Sequence, residues 1–514
     1  MISDKTLWYN ALDAACTLEC RDAFWDQLSE GYQPAYDLTT SLFPVLTYMM
    51  TRGILVDRAA LEEVKIDIVR QAAEKQEELN AICGRELNVN SYKDCQKYFY
   101  IDLGIPPYYN EGSITADDKA LQRLARGTAK RPGLKQAKLV QDIRGLNKLH
   151  GTYLEIEFDS DSRMRCSYNP RGTKFGRLSS SKTIFGTGTN TQNLPPEFKR
   201  FLVADPGYIL WEVDKRQAEW VVVAYLTGDA NMLSIVRSGK DTHLHTAALM
   251  LSTSSGLPYE ECWQILEYEA KLIGNSTDEE NIRKLRSESP IARFHEVLPR
   301  TMSGRQRGKK SNHGLNYDEG PNKYALINEL EPLEGKHDVE LYHFIYPVIR
   351  LWYEIVKRQL QKDRTLTNCF GRKVRFMDAW GPDLWKAAYA MLPQSSVVDS
   401  LNIGLCKIYD DLELVSPRGA NIDILAQVHD SILMQVPIER ALSEQFKIDQ
   451  QKIYNYISPQ LSYNGRTFTI ATDMKVGTNW GTYHKDYNPN GMREVKTTEE
   501  LQDAIRSLDG QGTR

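Results

Sequence analysis

The sequence has no apolar run approaching the ~18 residues that a membrane span needs. Its first residues, MISDKTLWYN, carry neither the apolar core of a signal peptide nor an arginine-rich transit pattern, so a cytoplasmic protein with no membrane partner is expected. Its eight cysteines form no CxxC pair and its nine histidines no cluster at zinc-ligand spacing, which argues against a disulfide scaffold or a zinc ribbon. An excess of charge of one sign is missing too: 514 residues carry a formal net charge of −4, so a polyanionic partner would have to be met by local patches. There is no internal repeat and no low-complexity tract. Hydrophobic residues at 41% and charged residues at 26% are those of an ordinary globular protein, and the length predicts several domains rather than one core.

What is present is unevenly spread. TLWYNALDAACTLECRDAFWDQL reads as a helix, with Tyr9 and Asp13 four apart on one face. A second helical run covers 42–50, 54–57 is strand-like, and the stripe Leu61, Val64, Ile68, Ala72 and Leu79 predicts a long amphipathic helix over about 58–82. A cationic segment follows, with Arg126, Lys130, Arg131, Lys135, Lys138, Arg144 and Lys148 against the single acid Asp142. Residues 163–201 are rich in Gly, Ser, Thr and Asn with basic residues interleaved, the composition of loops whose donors suit a sugar-phosphate backbone.

Two apolar runs each end in a carboxylate. YILWEVD brings Asp214, and QVHDSILMQVP predicts a hairpin with Asp430 at its tip. A lone Asp in a turn marks only a turn. Two strands delivering one Asp each to a common point would make a site for a divalent metal, which takes hard oxygen ligands. Between them Arg305, Lys309, His313 and Tyr317 recur every four residues, on one gradually rotating face of a helix. Gly304, Gly308 and Gly314 each weaken such a helix by about 1 kcal/mol relative to Ala, which calls for a reason such as close approach of a ligand or DNA.

Taken in order, these stretches resemble the three polymerase motifs of the family A DNA polymerases, the bacterial DNA polymerase I class that includes many phage replicases. VDKRQAEW is similar to DYSQIELR, RQRGKKSNHGLNYD to RxxxKxxNFGxxYG, and QVHDSILMQVP to xVHDE. FGRLSSS, NTQNLP, DTHLHTA, LPQSSVVD and GTNW also resemble family segments, in the right order, from roughly Gly53 to Trp480. The resemblance implies an α/β (α+β) fold shaped as a right hand, with an antiparallel-sheet palm, helical fingers and a helical thumb. It implies a template-directed DNA polymerase using two Mg²⁺ ions held by Asp214 and Asp430, with the backbone carbonyl of Val213 or Lys215 as a further oxygen. Arg305 and Lys309 would meet the triphosphate of the incoming dNTP, and His313 and Tyr317 continue that face. Glu219 matches the residue that crowds the position of a 2′-hydroxyl. Primer-template DNA would be held by Arg177, Gln192, Asn193, Gln394, His429 and Arg372, with Arg144 and Lys148 in the thumb. Ser431 departs from the pattern, standing where the family has an acid.

The implied division is 1–35 exonuclease remnant or docking helix, 36–57 palm entry and 58–150 thumb. Palm at 151–235 and 396–485 flanks fingers at 236–395, with an insertion expected at 255–295, and 486–514 is a tail. Tyr9-x-x-x-Asp13 resembles the last motif of a 3′–5′ exonuclease whose DxE acids are missing. That predicts no proofreading site here, and either a lost exonuclease or a separate exonuclease subunit docking on 1–35, the latter favoured. The tail is expected to be disordered, with 497–508 or the fingers insertion as contacts for a clamp or replisome partner. A phage replicative enzyme is the source the resemblance suggests. A single-subunit RNA polymerase, or an inactive subunit that only binds primer-template, are the rival readings.

Overall fold

The structure is a computed structural model and describes residues 4–25, 30–110, 112–128, 131–274, 276, 279–299, 301–415 and 421–509. Lys130, one of the cationic segment, lies outside them. Tyr9 and Asp13 sit on α1 (Asp4–Trp25), whose side chains are all exposed, Leu7, Trp8, Leu12, Leu18 and Phe24 included. α2 (Gln33–Arg52) turns Leu42, Val45, Leu46 and Met49 inward, the spacing of one helix face. It stops at Gly53, where φ is +63° and a β-carbon would lie 2.7 Å from Arg165 Cγ.

β1 (Ile54–Val56) pairs antiparallel with β2 (Arg163–Met164) on one side and with β3 (Leu202–Val203) on the other. A helical subdomain fills the chain between β1 and β2. Its α3 (Arg58–Cys83) begins at Asp57, whose carboxylate accepts from the Ala60 N–H, and ends at the left-handed Gly84. It packs on α4 (Lys135–Lys148), and Leu79, Phe99, Leu121, Leu124, Val140 and Ile143 give this subdomain its own core.

The main sheet is antiparallel throughout and grows around β4 (Tyr208–Lys215). The other strands are β5 (Asp423–Val428), β6 (Ser431–Pro437), β7 (Thr472–Gly477) and β8 (Arg493–Val495), in the spatial order β5-β6-β4-β7-β8. Side chains alternate along β4: Ile209, Trp211 and Val213 enter one core while Leu210 enters another on the opposite face, where Glu212 and Asp214 follow. Trp211 packs edge-on against Phe446 at 5.0 Å, a burial worth about 2–3 kcal/mol. This floor is what holds the carboxylates in place.

After β4 the chain turns through left-handed Gln217 into α5 (Ala218–Thr227) and a second helical region. Its members include α6 (Thr242–Ser255), α7 (Tyr259–Ile273), α8 (Glu279–Ser287), α9 (Gly304–Leu315) and α10 (Pro382–Asp410). α10 belongs to two cores: Leu384, Leu392 and Val397 pack with Trp220 and Trp352, and Leu401, Leu405 and Ile408 with Trp211 and Ile432. The expected fingers–palm boundary at 395/396 therefore falls inside one helix. In the expected insertion, Glu269 of α7 and Arg286 of α8 form a fully buried ion pair. Glu269 also accepts from the Gly304 N–H at 2.7 Å, and Arg286 donates to the Pro299 carbonyl at 2.6 Å, joining these helices to the start of α9.

Two expectations change. The disordered tail is instead ordered through α11 (Thr498–Asp509), whose Leu501, Ile505 and Leu508 pack into the core beneath the sheet. The apolar stripe that suggested a docking helix is spent inside the molecule. The glycines of α9 answer to neighbouring protein rather than to a ligand or DNA. A β-carbon at Gly304 would lie 2.2 Å from Leu266 Cδ2, one at Gly308 2.1 Å from the His243 carbonyl, and one at Gly314 2.1 Å from a Glu319 carboxylate oxygen. Among the described residues no helix is long and apolar enough to cross a membrane.

Candidate active site

Strand register brings the two carboxylates together. Asp214, the last residue but one of β4, lies opposite Ser431 of β6, and Asp430 immediately precedes Ser431 in the two-residue turn from β5. His429 takes a φ of +53° in that turn. The turn is pinned from both sides: the Lys215 N–H donates to the Asp430 carbonyl at 3.1 Å, and the His429 N–H donates to Gln192 Oε1 at 3.1 Å. Gln192 Nε2 in turn donates to the Gln427 carbonyl at 2.7 Å. Asp214, Asp430 and His429 line one cleft of about 670 Å³, with Arg177, Glu219, Arg305, Lys309, His313 and Tyr317 around it.

The floor is electrostatically strained. Burial, then the charge of Asp430, pushes the Asp214 carboxyl up to about 7, with Lys475 at 3.7 Å pulling the other way. Asp430 is also raised, chiefly by burial. A hard divalent cation would relieve both, so the donor set fits the Mg²⁺ that the sequence implies. Among the described residues no cluster of three or more His, Cys, Asp or Glu side chains forms a ready-made cage. Mg²⁺ is commonly held this way, by one or two carboxylates with water and substrate oxygens completing the shell. Beside them Lys215 is pulled down to about 7 by burial, its ammonium donating to the Ile457 carbonyl.

The opposite wall is α9, capped by Ser303, whose Oγ accepts from the Gln306 N–H. Arg305 donates through Nε and Nη2 to Asp241 Oδ2 at 2.9 and 2.6 Å. Lys309 is exposed and has no ion pair among the described residues. The His313 ring lies 6.3 Å from that of His243. Tyr317 is past the helix end, in the turn that follows, and its hydroxyl donates to Glu219, which is also paired with Arg177. Burial and the Glu219 charge hold the Tyr317 hydroxyl well above its ordinary pKa, so it stays a donor.

Other expected residues lie elsewhere. Arg144 turns into the helical subdomain, donating to the carbonyls of Val89 at 2.6 Å and Ala116 at 2.9 Å, so its donors are used inside rather than offered to DNA. Arg372 is likewise committed, to the buried Asp399 at 2.8 Å. Lys148 is exposed on the wall of a separate cleft. Asn193 is exposed and its carbonyl accepts from Tyr153; Gln394 is half-buried on α10, and neither lines the central cleft. The sequence reading missed Asp241, Glu212, Asp473 and Lys475. Asp241 had a signal, an Asp directly before a helical run; Glu212 had another, two residues from Asp214 on the same strand face.

Comparison with known proteins places this geometry in a family. The model for DNA polymerase family A matches residues 58–258 and 274–482, and the stretch between the two segments is α7. The thermostable DNA polymerase I of Thermus filiformis is 26% identical over 426 residues, which cover 77% of this chain and 43% of that protein. The DNA polymerase I of Rhizobium leguminosarum is 24% identical over 503 residues, covering 94% of this chain and 44% of that protein. The chain thus spans under half the length of these relatives, which are bacterial and leave the phage expectation unsupported. Among solved structures, the POL domain of Pol1 from M. smegmatis, in complex with DNA primer-template and dNTP, shares the fold with a TM-score of 0.67 at 21% identity. It covers 86% of this chain and 70% of that one. With most of its length matched by the family model, this chain belongs to DNA polymerase family A.

Proposed function

We propose that the chain is a template-directed DNA polymerase that adds deoxynucleotides to a primer 3′ end, with Asp214 and Asp430 as ligands for two Mg²⁺ ions. One observation carries the reading: two mutually repelling aspartates, one on β4 and one in the turn between β5 and β6, face Arg305 and Lys309 of α9 across a single cleft. Bound there, the ions would supply charge neutralisation and an activated 3′-hydroxyl for in-line phosphoryl transfer. The residues do the positioning. Lys309 offers an unpaired ammonium to the triphosphate and can give a proton to the departing pyrophosphate. Arg305, steadied by Asp241, holds a second cation on the same helix face. Glu219 is braced by Arg177 and Tyr317, so its carboxylate is a fixed obstacle at the sugar and favours dNTPs over rNTPs. Arg177 and His429 at the mouth serve the primer terminus.

The test is extension of a labelled primer-template with Mg²⁺ and dNTPs or rNTPs, using matched and mismatched primers and Asp430→Ala as control. Extension with dNTPs that Asp430→Ala abolishes supports the reading. Preferential use of rNTPs would favour an RNA polymerase, and identical behaviour of wild type and Asp430→Ala would favour a binding subunit. The exposed apolar side chains of α1, Leu7, Trp8 and Leu12 among them, support a second proposal: this helix is the seat of a separate exonuclease subunit. Trp8→Asp should then abolish co-purification with a proofreading activity without altering extension.

A further inference from the structure

The palm floor holds a charged pair that the reading above does not use. Glu212 and Asp214 share one face of β4, and β7 places Lys475 opposite Glu212 and Asp473 opposite Asp214. The Glu212 carboxylate is only 7% exposed as a residue and is surrounded by donors. Its Oε1 lies 3.0 Å from Ser431 Oγ and 3.4 Å from Trp480 Nε1, and its Oε2 accepts from Lys475 Nζ at 3.3 Å. The Ser431 hydroxyl has a second acceptor for its one proton, the Val428 carbonyl at 3.1 Å. The same Lys475 ammonium stands 3.7 Å from Asp214 Oδ2.

Ser431 is where the resembled motif has an acid. In this chain a carboxylate reaches that spot from the neighbouring strand, and it comes with its own counter-ion. We propose that Glu212 and Lys475 are positioning residues that steady Asp214 and set how tightly the site takes a divalent cation; this rests on the metal-holding role proposed for Asp214 and Asp430. Charge competition sets the affinity. A buried carboxylate needs a partner, so Glu212 fixes Lys475 where it lies. The ammonium fixed there competes with a divalent cation for Asp214, while the charge of Glu212 attracts that cation. Removing the two groups must then act in opposite directions, a pattern that simple loosening of the sheet cannot produce.

The experiment measures Mn²⁺ binding to the chain free of DNA and nucleotide, by the electron paramagnetic resonance signal of unbound Mn²⁺. Lys475→Met is expected to bind Mn²⁺ several-fold more tightly, Glu212→Gln several-fold more weakly, and the double variant and Lys475→Arg close to wild type. Single variants that shift the same way, or not at all, overturn the proposal. Should Glu212→Gln fail to fold, the contrast of Lys475→Met with Lys475→Arg decides, and absence of tightening in the former overturns it. Asp214→Asn separates the two levels. If it binds Mn²⁺ as wild type does, the metal-holding reading falls and this proposal with it; if it loses Mn²⁺ while the pair variants are silent, only the role of the pair falls.

Discussion

The two walls of the cleft treat charge in opposite ways. On the palm floor, adjacent strands about 4.8 Å apart press carboxylates together, and burial with mutual repulsion lifts Asp214 to about 7. On the fingers side, one helix spreads its cations a turn apart, about 6 Å, with Arg305 shared with Asp241 and Lys309 left to solvent. Where burial on that side falls on groups without a counter-ion it favours the neutral form, and pulls His245 and His343 down to about 4. One wall gathers more carboxylate than Lys475 offsets, and the other offers cations to an anion. A polyphosphate carrying a divalent ion answers both at once, which is why the pairing of a hairpin with a helix says more than either alone.

The opposition of the two walls is tested most directly by mutating each. Asp214→Ala should lower primer extension on the order of 10³-fold or more if Asp214 holds the divalent ions as proposed, because a ligand of the charge-neutralising centre is then removed. Lys309→Ala should lower it on the order of 10²-fold, the usual scale of a single acid or electrostatic group. Steady-state extension rates decide, and a larger loss at Lys309 than at Asp214 would show that the strained floor is not the reactive centre.

Acidity sharpens the contrast further. A raised Asp214 stabilises the fold below its unfolded value near 3.8 and loses that contribution as pH rises through about 7. The depressed histidines act the other way: their contribution is complete above about 6.5 and is lost as pH falls toward 4. Between pH 7 and pH 5, without metal, amide exchange corrected for its chemical rate should slow in β4 and β6 and quicken in α6. Saturating Mg²⁺ should remove the palm response and leave that of the fingers. Parallel shifts in both regions would defeat the assignment.

The sequence carried the palm more fully than the fingers because strand signals there are local. Alternation along 208–214 and the polar break at 429–431 are readable residue by residue, and the register they imply brings Asp214 and Asp430 into one cleft. Helix α9 was readable as a face, yet the reason for its glycines was not. For Gly304 and Gly308 that reason is the side chain of Leu266 and the backbone of α6, neighbours fixed only by tertiary packing. The same limit hid Asp241 and Lys475, whose partners Arg305 and Glu212 lie 64 and 263 residues away. The tail was misread because a short amphipathic stripe looks alike whether it faces solvent, a partner or the protein's own core.

Arginine and lysine counts in the thumb raise the same question as the two walls: whether a cation is already spent. Arg144 is spent on the carbonyls of Val89 and Ala116, whereas Lys148, one turn on, is exposed. Arg144→Ala should therefore cost about 1–3 kcal/mol of stability, leaving two buried carbonyls short of a donor, and should leave the salt dependence of DNA binding unchanged. Lys148→Ala should do the reverse, with thermal stability intact and the slope of log affinity against log salt smaller by about 1, the loss of one phosphate contact. Titrating duplex primer-template from low to moderate salt with both variants separates the cases. An unchanged slope for Lys148→Ala would mean that the helical subdomain meets DNA through another face, and that exposure alone does not mark a cation as available to phosphate.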